Sequence, residues 1–245
     1  NSNLLYHASV PLNEDGSFKH VNICGKEYWG KNLLDKIDQL IRTAYFDEDD
    51  EEEKRFAMDY IWYLWCGPDA PSFDKDKMAT FERYFIADKS LHKETKGYYY
   101  ALRNKEEICD RILEEFGVTG QHTHIINGHV PVKTIKGEQP MKAGGKLLVI
   151  DGGFSKAYQP ETGIAGYTLV YSSYGLSLTA HEPFTSAEDA VETERDIVSN
   201  RVAVRYNPRR ALVGDTDNGK ALKERIQELK QLLDAYRKGV IKEKK

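Results

Sequence analysis

His124-Ile125-Ile126-Asn127-Gly128-His129-Val130-Pro131-Val132 is the stretch on which the fold turns. A short, almost wholly apolar run ended by glycine reads as a buried strand. Gly128 ends the run and Pro131 stiffens the exit, leaving His129 at the first turn of the loop. Open α/β sheets bind ligands at the carboxyl ends of their strands, so an imidazole at this junction is a candidate functional group. A purely structural histidine is the rival reading, and the residues alone leave the two open.

The same arrangement recurs on either side of this stretch. Lys146-Leu147-Leu148-Val149-Ile150 runs into Asp151-Gly152-Gly153, and Asn3-Leu4-Leu5-Tyr6 runs into His7-Ala8-Ser9-Val10-Pro11. As a pair, His7 and His129 offer neutral imidazoles, which suit Mn, Fe or Zn. Two histidines do not complete a site, because phosphate-hydrolysing dinuclear centres also need a bridging carboxylate and further oxygen ligands. Asp151 ends a buried run, where an unpaired carboxylate is costly. It either bonds a ligand histidine or folds back onto the loop amides. His122 and His124 lie two apart and share one face of a strand; His124 is expected to hydrogen-bond a ligand or a phosphate rather than to ligate. His20, His92 and His181 read as surface residues.

Farther out the chain alternates helical and strand blocks. Leu33, Leu34, Ile37, Leu40, Ile41 and Ala44 fall at helical spacing, as do Phe56, Tyr60, Ile61, Leu64 and Trp65, the latter helix stopped by Gly67-Pro68. Asp47 to Glu53 is an unbroken acidic run, read as a solvated loop and helix N-terminus, where negative charge favours the dipole. Trp62 and Trp65 are expected in the core or a subunit interface, and Tyr98-Tyr99-Tyr100 at a partner surface. Asn104-Lys105-Glu106-Glu107 has capping-box spacing ahead of a helix closed by Gly117. Asn13-Glu14-Asp15-Gly16 predicts a tight turn, residues 167–171 and 176–179 a hairpin, and 202–206 a strand. Thr185-Ser186 predicts a helix start, with the helix running to about Ser199. Leu222, Ile226, Leu229, Leu233 and Tyr236 mark a last amphipathic helix. The fold class is α/β, with a mixed sheet.

Composition narrows the function. Lys plus Arg total 35 against 39 Asp plus Glu, a net charge of −4, which lacks the broad positive field that holds nucleic acid. No apolar run approaches the roughly 20 residues that cross a bilayer, so no membrane partner is expected. No signal segment opens the chain. Cys24, Cys66 and Cys109 are odd in number and form no CxxC, which suits a reducing compartment and a cytoplasmic location.

The run from His124 to Lys133, followed by Lys146 to Tyr158, resembles the class III fructose-1,6-bisphosphatases, bacterial enzymes on the calcineurin-like metallophosphoesterase fold. Tyr6 to Gly16, Trp62 to Pro71, Lys77 to Phe85 and Asp215-Thr216-Asp217 are similar to class III segments in particular, and the likeness runs from about Leu4 to about Gly239. The superfamily's Asp-x-His, Gly-Asp-x-x-Asp-Arg-Gly and Gly-Asn-His motifs are absent. The resemblance therefore implies the C-terminal part of such an enzyme. Its β-sandwich core would comprise residues 1–25 and 118–206, with a helical insert at 26–117 and a helical tail at 207–245.

It also implies hydrolysis of the 1-phosphate of fructose 1,6-bisphosphate in gluconeogenesis by a dinuclear Mn2+ centre, with Mg2+ or Fe as alternatives. His7 and His129 would both serve the second metal, and the catalytic residues would lie upstream. Expected partners are the sugar bisphosphate, the N-terminal part of the enzyme and further copies of the chain. A sugar bisphosphate calls for a basic clamp; Lys75, Lys77, Arg83, Lys133 and Lys156 are candidates. Lys77 and Arg83 are preferred because they flank an aromatic segment, and Tyr158 is expected to stack on or bond the sugar. A protein phosphatase or dinucleoside-tetraphosphatase, and a regulatory or oligomerising module with structural histidines, are the rival readings.

Overall fold

Three short parallel strands, far apart in the chain, lie side by side in a small mixed sheet. They are seen in a computed structural model that describes residues 3–47, 50–120, 122–194 and 199–242. The chain divides into two compact units, residues 2–168 with 180–200 and residues 169–179 with 201–245.

In the larger unit, β1 (Asn3–Leu5) leads through a turn at Asn13–Gly16 to the hairpin β2 (Val21–Ile23) and β3 (Lys26–Tyr28). Five helices follow: α1 (Gly30–Phe46), α2 (Glu51–Cys66), α3 (Thr80–Phe85), the single turn α4 (Tyr99–Leu102) and α5 (Glu106–Glu115). Next come β4 (His124–Asn127), β5 (Met141–Lys142), β6 (Leu147–Val149) and the turn α6 (Gln159–Thr162). The sheet order is β1-β4-β6-β5, with β1, β4 and β6 parallel and β5 antiparallel at the edge. Register sets Leu4 beside Ile125 and Ile126 beside Leu148. Ile125, Leu147, Leu148 and Val149 are fully buried, as continuous apolar strands require.

A second core lies on the helical side. Leu33, Ile37, Leu40 and Ala44 of α1 pack with Ala57 and Leu64 of α2, with Val21 and Ile23 of the hairpin, and with Ala70 and Phe73. Each of the leucine, isoleucine, valine and phenylalanine side chains contributes about 1.5–3 kcal/mol on burial. The expected boundary at residue 25 thus falls in a hairpin turn whose strand packs on the helical block. Asp50 caps α2, accepting from the amides of Glu52 and Glu53 at 3.0 and 2.9 Å. Glu48 and Asp49 of the acidic run lie outside the described residues. Trp62 and Trp65 stand 65% and 53% exposed on the outer face of α2, not in this chain's core.

The predicted capping box at Asn104 does not form. The N-cap of α5 is Lys105, one residue later, and its side chain makes no capping hydrogen bond. Ser186 does cap α7 (Ala187–Thr193), accepting from the Asp189 amide. That helix ends well short of Ser199, and residues 195–198 lie outside the described part.

Strands β7 (Gly166–Ser172), β8 (Gly175–His181) and β9 (Ser199–Tyr206) form a separate three-stranded sheet in that order. In the smaller unit, Arg201 Nε of β9 bonds Ser177 Oγ of β8 at 2.7 Å. Its last helix, α8 (Asp217–Arg237), is capped by Thr216, and its apolar stripe Leu222, Ile226, Leu229, Leu233 and Tyr236 remains largely exposed.

Candidate functional site

β1, β4 and β6 each deliver one candidate group two residues beyond the strand's last member: His7 after Leu5, His129 after Asn127, and Asp151 after Val149. Parallel neighbours in register bring those exits to one edge, the carboxyl edge where open sheets bind ligands. There His7 Nε2 lies 3.0 Å from His129 Nδ1, although 122 residues separate them. The rings meet edge to face with centroids 4.9 Å apart. His7 is exposed and His129 half-buried, so the pair opens to solvent.

The local backbone explains how His129 reaches back. Gly128 donates its N–H to His7 O at 2.9 Å, and Val130 donates to Gly128 O at 2.7 Å, closing a tight turn. His129 itself sits at φ 63°, a left-handed conformation uncommon for a side chain larger than glycine and concentrated at functional sites. Beneath it, the buried Asn127 amide donates to Ala8 O at 3.0 Å and to Tyr99 Oη at 2.6 Å. Tyr99 Oη in turn meets Tyr6 Oη at 2.9 Å. Burial pushes both phenols up in pKa, which keeps them protonated. This buried network ties the β1 and β4 exits together, and it takes Tyr99, 1% exposed, out of the tyrosine triplet expected at a partner surface, whereas Tyr98 stands 48% exposed. A polar Asn inside an apolar run was the sequence signal for it.

Burial, then the charges of His7, Lys75 and Lys96, hold the His129 imidazole below its usual pKa, with Asp151 acting the other way. The ring is thus kept neutral, the form in which histidine binds a metal. Asp151 Oδ1 accepts from the Gly153 amide at 2.9 Å, the loop-bonded role. His124 stands at the start of β4, the strand's other end, with Nδ1 on Gly145 O at 2.8 Å. The structure therefore does not bring it to the pair.

The expected clamp residues have other partners. Lys77 Nζ bonds Leu91 O at 3.1 Å, and Arg83 reaches His92 O and Glu94, both at 3.3 Å. Both cations hold the 76–95 segment together. Lys156 and Tyr158 are exposed on the loop after Asp151.

Nitrogens 3.0 Å apart fit two ligands of one cation, since metal–imidazole bonds of about 2.0–2.1 Å span that separation at roughly a right angle. Among the described residues no group of three or more His, Cys, Asp or Glu side chains forms that could hold a metal alone. The pair stands on the carboxyl edge of the parallel strands of an α/β protein, the edge at which open sheets bind ligands.

The chain belongs to the Firmicute fructose-1,6-bisphosphatase family, whose model it matches over residues 1–238. It is 84% identical over 244 residues to the class 3 fructose-1,6-bisphosphatase of Bacteroides fragilis and 72% identical to that of Bacteroides thetaiotaomicron. Identity to the Clostridium botulinum (strain Kyoto) enzyme of the same name is 58% over 243 residues. These alignments cover 100%, 100% and 99% of the chain but only 37%, 37% and 36% of the relatives. The chain thus spans little more than a third of their length. No solved structure matches it.

Proposed function

We propose that this chain supplies part of the metal centre of an enzyme that hydrolyses the 1-phosphate of fructose 1,6-bisphosphate, yielding fructose 6-phosphate. One observation carries the reading: two imidazoles remote in sequence face each other at 3.0 Å on adjacent strand ends. The relatives' shared name, fructose-1,6-bisphosphatase class 3, supports the substrate.

His7 Nε2 and His129 Nδ1 would hold one Mn2+, with Mg2+ or Fe as alternatives, and the remaining ligands and catalytic groups would come from outside this chain. A bound divalent pair supplies charge stabilisation to the phosphoryl oxygens and makes water nucleophilic at neutral pH. The chain's own part is placement. The turn at Gly128–Val130 aims His129, the Asn127–Tyr99–Tyr6 network fixes its strand against that of His7, and the depressed pKa of His129 keeps a lone pair available.

The finer fold belongs to the same reading: the β1-β4-β6-β5 sheet would be one layer of a calcineurin-like sandwich, supported by strand-end ligands on a largely parallel sheet. So does a cytoplasmic location, supported by three cysteines, all free. Among the described residues no helix is long and apolar enough to cross a membrane. Self-association is supported by the exposed stripe of α8 and the exposed tryptophans of α2.

The test is Mn2+ titration of the chain with and without the remaining length that its relatives carry. Dinuclear loading with the full length, lost on His129→Ala, is the expected result; loading indifferent to that substitution would overturn the ligand assignment. Assay against fructose 1,6-bisphosphate, phosphopeptides and dinucleoside tetraphosphates then separates this substrate from its rivals.

A further inference from the structure

Beside the histidine pair lies a cluster of cations that the clamp expected from sequence did not include in full. Residues 74–76 and 95–97 run antiparallel, with Gly97 N–H on Asp74 O at 2.8 Å and Asp76 N–H on Thr95 O at 2.9 Å. That bridge sets Lys75 directly opposite Lys96. The Lys96 ammonium lies 5.2 Å from the centre of the Tyr100 ring, and the Arg103 guanidinium lies 5.2 Å from the same centre. Arg103 is 5% exposed and its Nη1 has no hydrogen-bond partner.

These charges are short of counterions. Among the described residues neither Lys96 nor Arg103 forms an ion pair with a carboxylate; an aromatic face holds them instead. Glu138 is the acid whose charge reaches both, but it already binds Lys142 Nζ at 2.7 Å and the Lys133 amide at 3.1 Å. Asp74, near Tyr100, lies against Ser9 and Gly97. Lys75 is matched by Glu94 at 2.9 Å, while Lys96 reaches the surface. Burying a guanidinium without an anion is unfavourable, so a fold that keeps one beside a second, accessible cation is suited to an anionic ligand.

The cluster is fixed to the site. Tyr99, next to Tyr100, is the residue bonded to Asn127 and Tyr6 beneath the histidines. Ser9, two residues after His7, holds Pro71 O through both its amide and its hydroxyl, anchoring the chain just before Lys75. The charges of Lys75 and Lys96 both act on His129.

We infer that Lys96, with Arg103 behind it and Lys75 opposite, binds a phosphate dianion beside the His7–His129 pair. This rests on the phosphoesterase reading, which gives the anion its chemistry. The anion is either the phosphate that a sugar bisphosphate retains or the orthophosphate released.

The test titrates fructose 6-phosphate and inorganic phosphate calorimetrically into the metal-stripped, full-length protein as wild type, Lys96→Ala and Lys96→Arg. Mn2+ is titrated separately into the same proteins. Lys96 is exposed, so neither variant disturbs a core. Lys96→Ala is expected to weaken anion binding about tenfold, the worth of one charge-assisted contact, with Lys96→Arg restoring most of it and no loss of Mn2+ affinity in either variant. A loss confined to fructose 6-phosphate assigns the retained phosphate, and a loss confined to orthophosphate assigns the product. Wild-type affinity for both anions in Lys96→Ala, or no saturable binding to the wild type, overturns the inference. Anion binding that depends on Lys96 in a protein that takes up no Mn2+ upholds the subsite and sinks only the two-histidine metal reading.

Discussion

His129 shows how much a single residue's backbone decides. At φ 63° it pays a strain that glycine would avoid, and the conformation turns its Nδ1 onto His7. If both nitrogens serve one cation, His129→Ala and His7→Ala each lower Mn2+ affinity by more than the roughly 10–100-fold typical of changes behind the ligands. Calorimetry checks this; equal affinity in either variant contradicts shared ligation. Asp74 gives a pH prediction nearby. It is 5% exposed, one of its oxygens is unpartnered, and burial raises its pKa from 3.8 to about 6. The folded state therefore binds the proton more tightly than the unfolded chain. Stability from this group is fully present below pH 3.8 and falls as pH rises to about 6, by an order of 3 kcal/mol. Asp74→Asn, whose side chain also tolerates the φ of 49° there, removes that loss. The variant is expected to match wild type near pH 4 and exceed it in urea unfolding at pH 7.5. An unchanged pH profile would mean that the carboxyl is not desolvated.

Elements were legible where a period or a cap is local. The apolar runs at β1, β4 and β6, the stripe of α1 and the serine cap of α7 all follow from neighbours within a few residues. The failures lie where two local signals compete or the deciding contact is remote. Asn104 had the capping composition, yet the N-cap of α5 is Lys105, two residues after an Arg103 that is buried over the Tyr100 ring. Lys77 and Arg83 had the charge for a clamp, yet partners nine to fourteen residues ahead took them. No pattern in the sequence announces such a contact. The Asp50 cap makes the local kind testable. Asp50→Ala frees the amides of Glu52 and Glu53 at the start of a helix whose first turn carries three more acids. It should cost about 1 kcal/mol in chemical denaturation. Leu147→Ala, in the fully buried middle of the sheet, should cost about 2–5 kcal/mol in the same assay. An effect of Asp50→Ala as large as that of Leu147→Ala would show that the cap anchors more than its own helix.

At the scale of the whole molecule, the pairing of His7 with His129 was foreseeable because each follows an apolar strand that a parallel sheet must place beside the others. The Lys96–Arg103 cluster was not, since it depends on a bridge between two loops and on one tyrosine ring. The share of the relatives that the chain covers, 37%, sets the last expectation. Two imidazoles supply two of the four to six donors that a divalent cation takes from a protein site, and the described residues hold no group of three candidates. On the reading proposed here, the chain by itself takes up Mn2+ weakly and does not hydrolyse fructose 1,6-bisphosphate. The full-length protein binds two ions, loses hydrolysis when a chelator removes them and regains it when Mn2+ is returned. Steady-state assays before and after chelation, with bound metal counted by elemental analysis, decide the matter. Undiminished hydrolysis by the chelated full-length protein would remove the metal from the reaction. Hydrolysis by the isolated chain would instead place a complete site within these residues. In that event the missing ligands would have to come from backbone carbonyls or from residues outside the described part, since the described acids and histidines do not supply them.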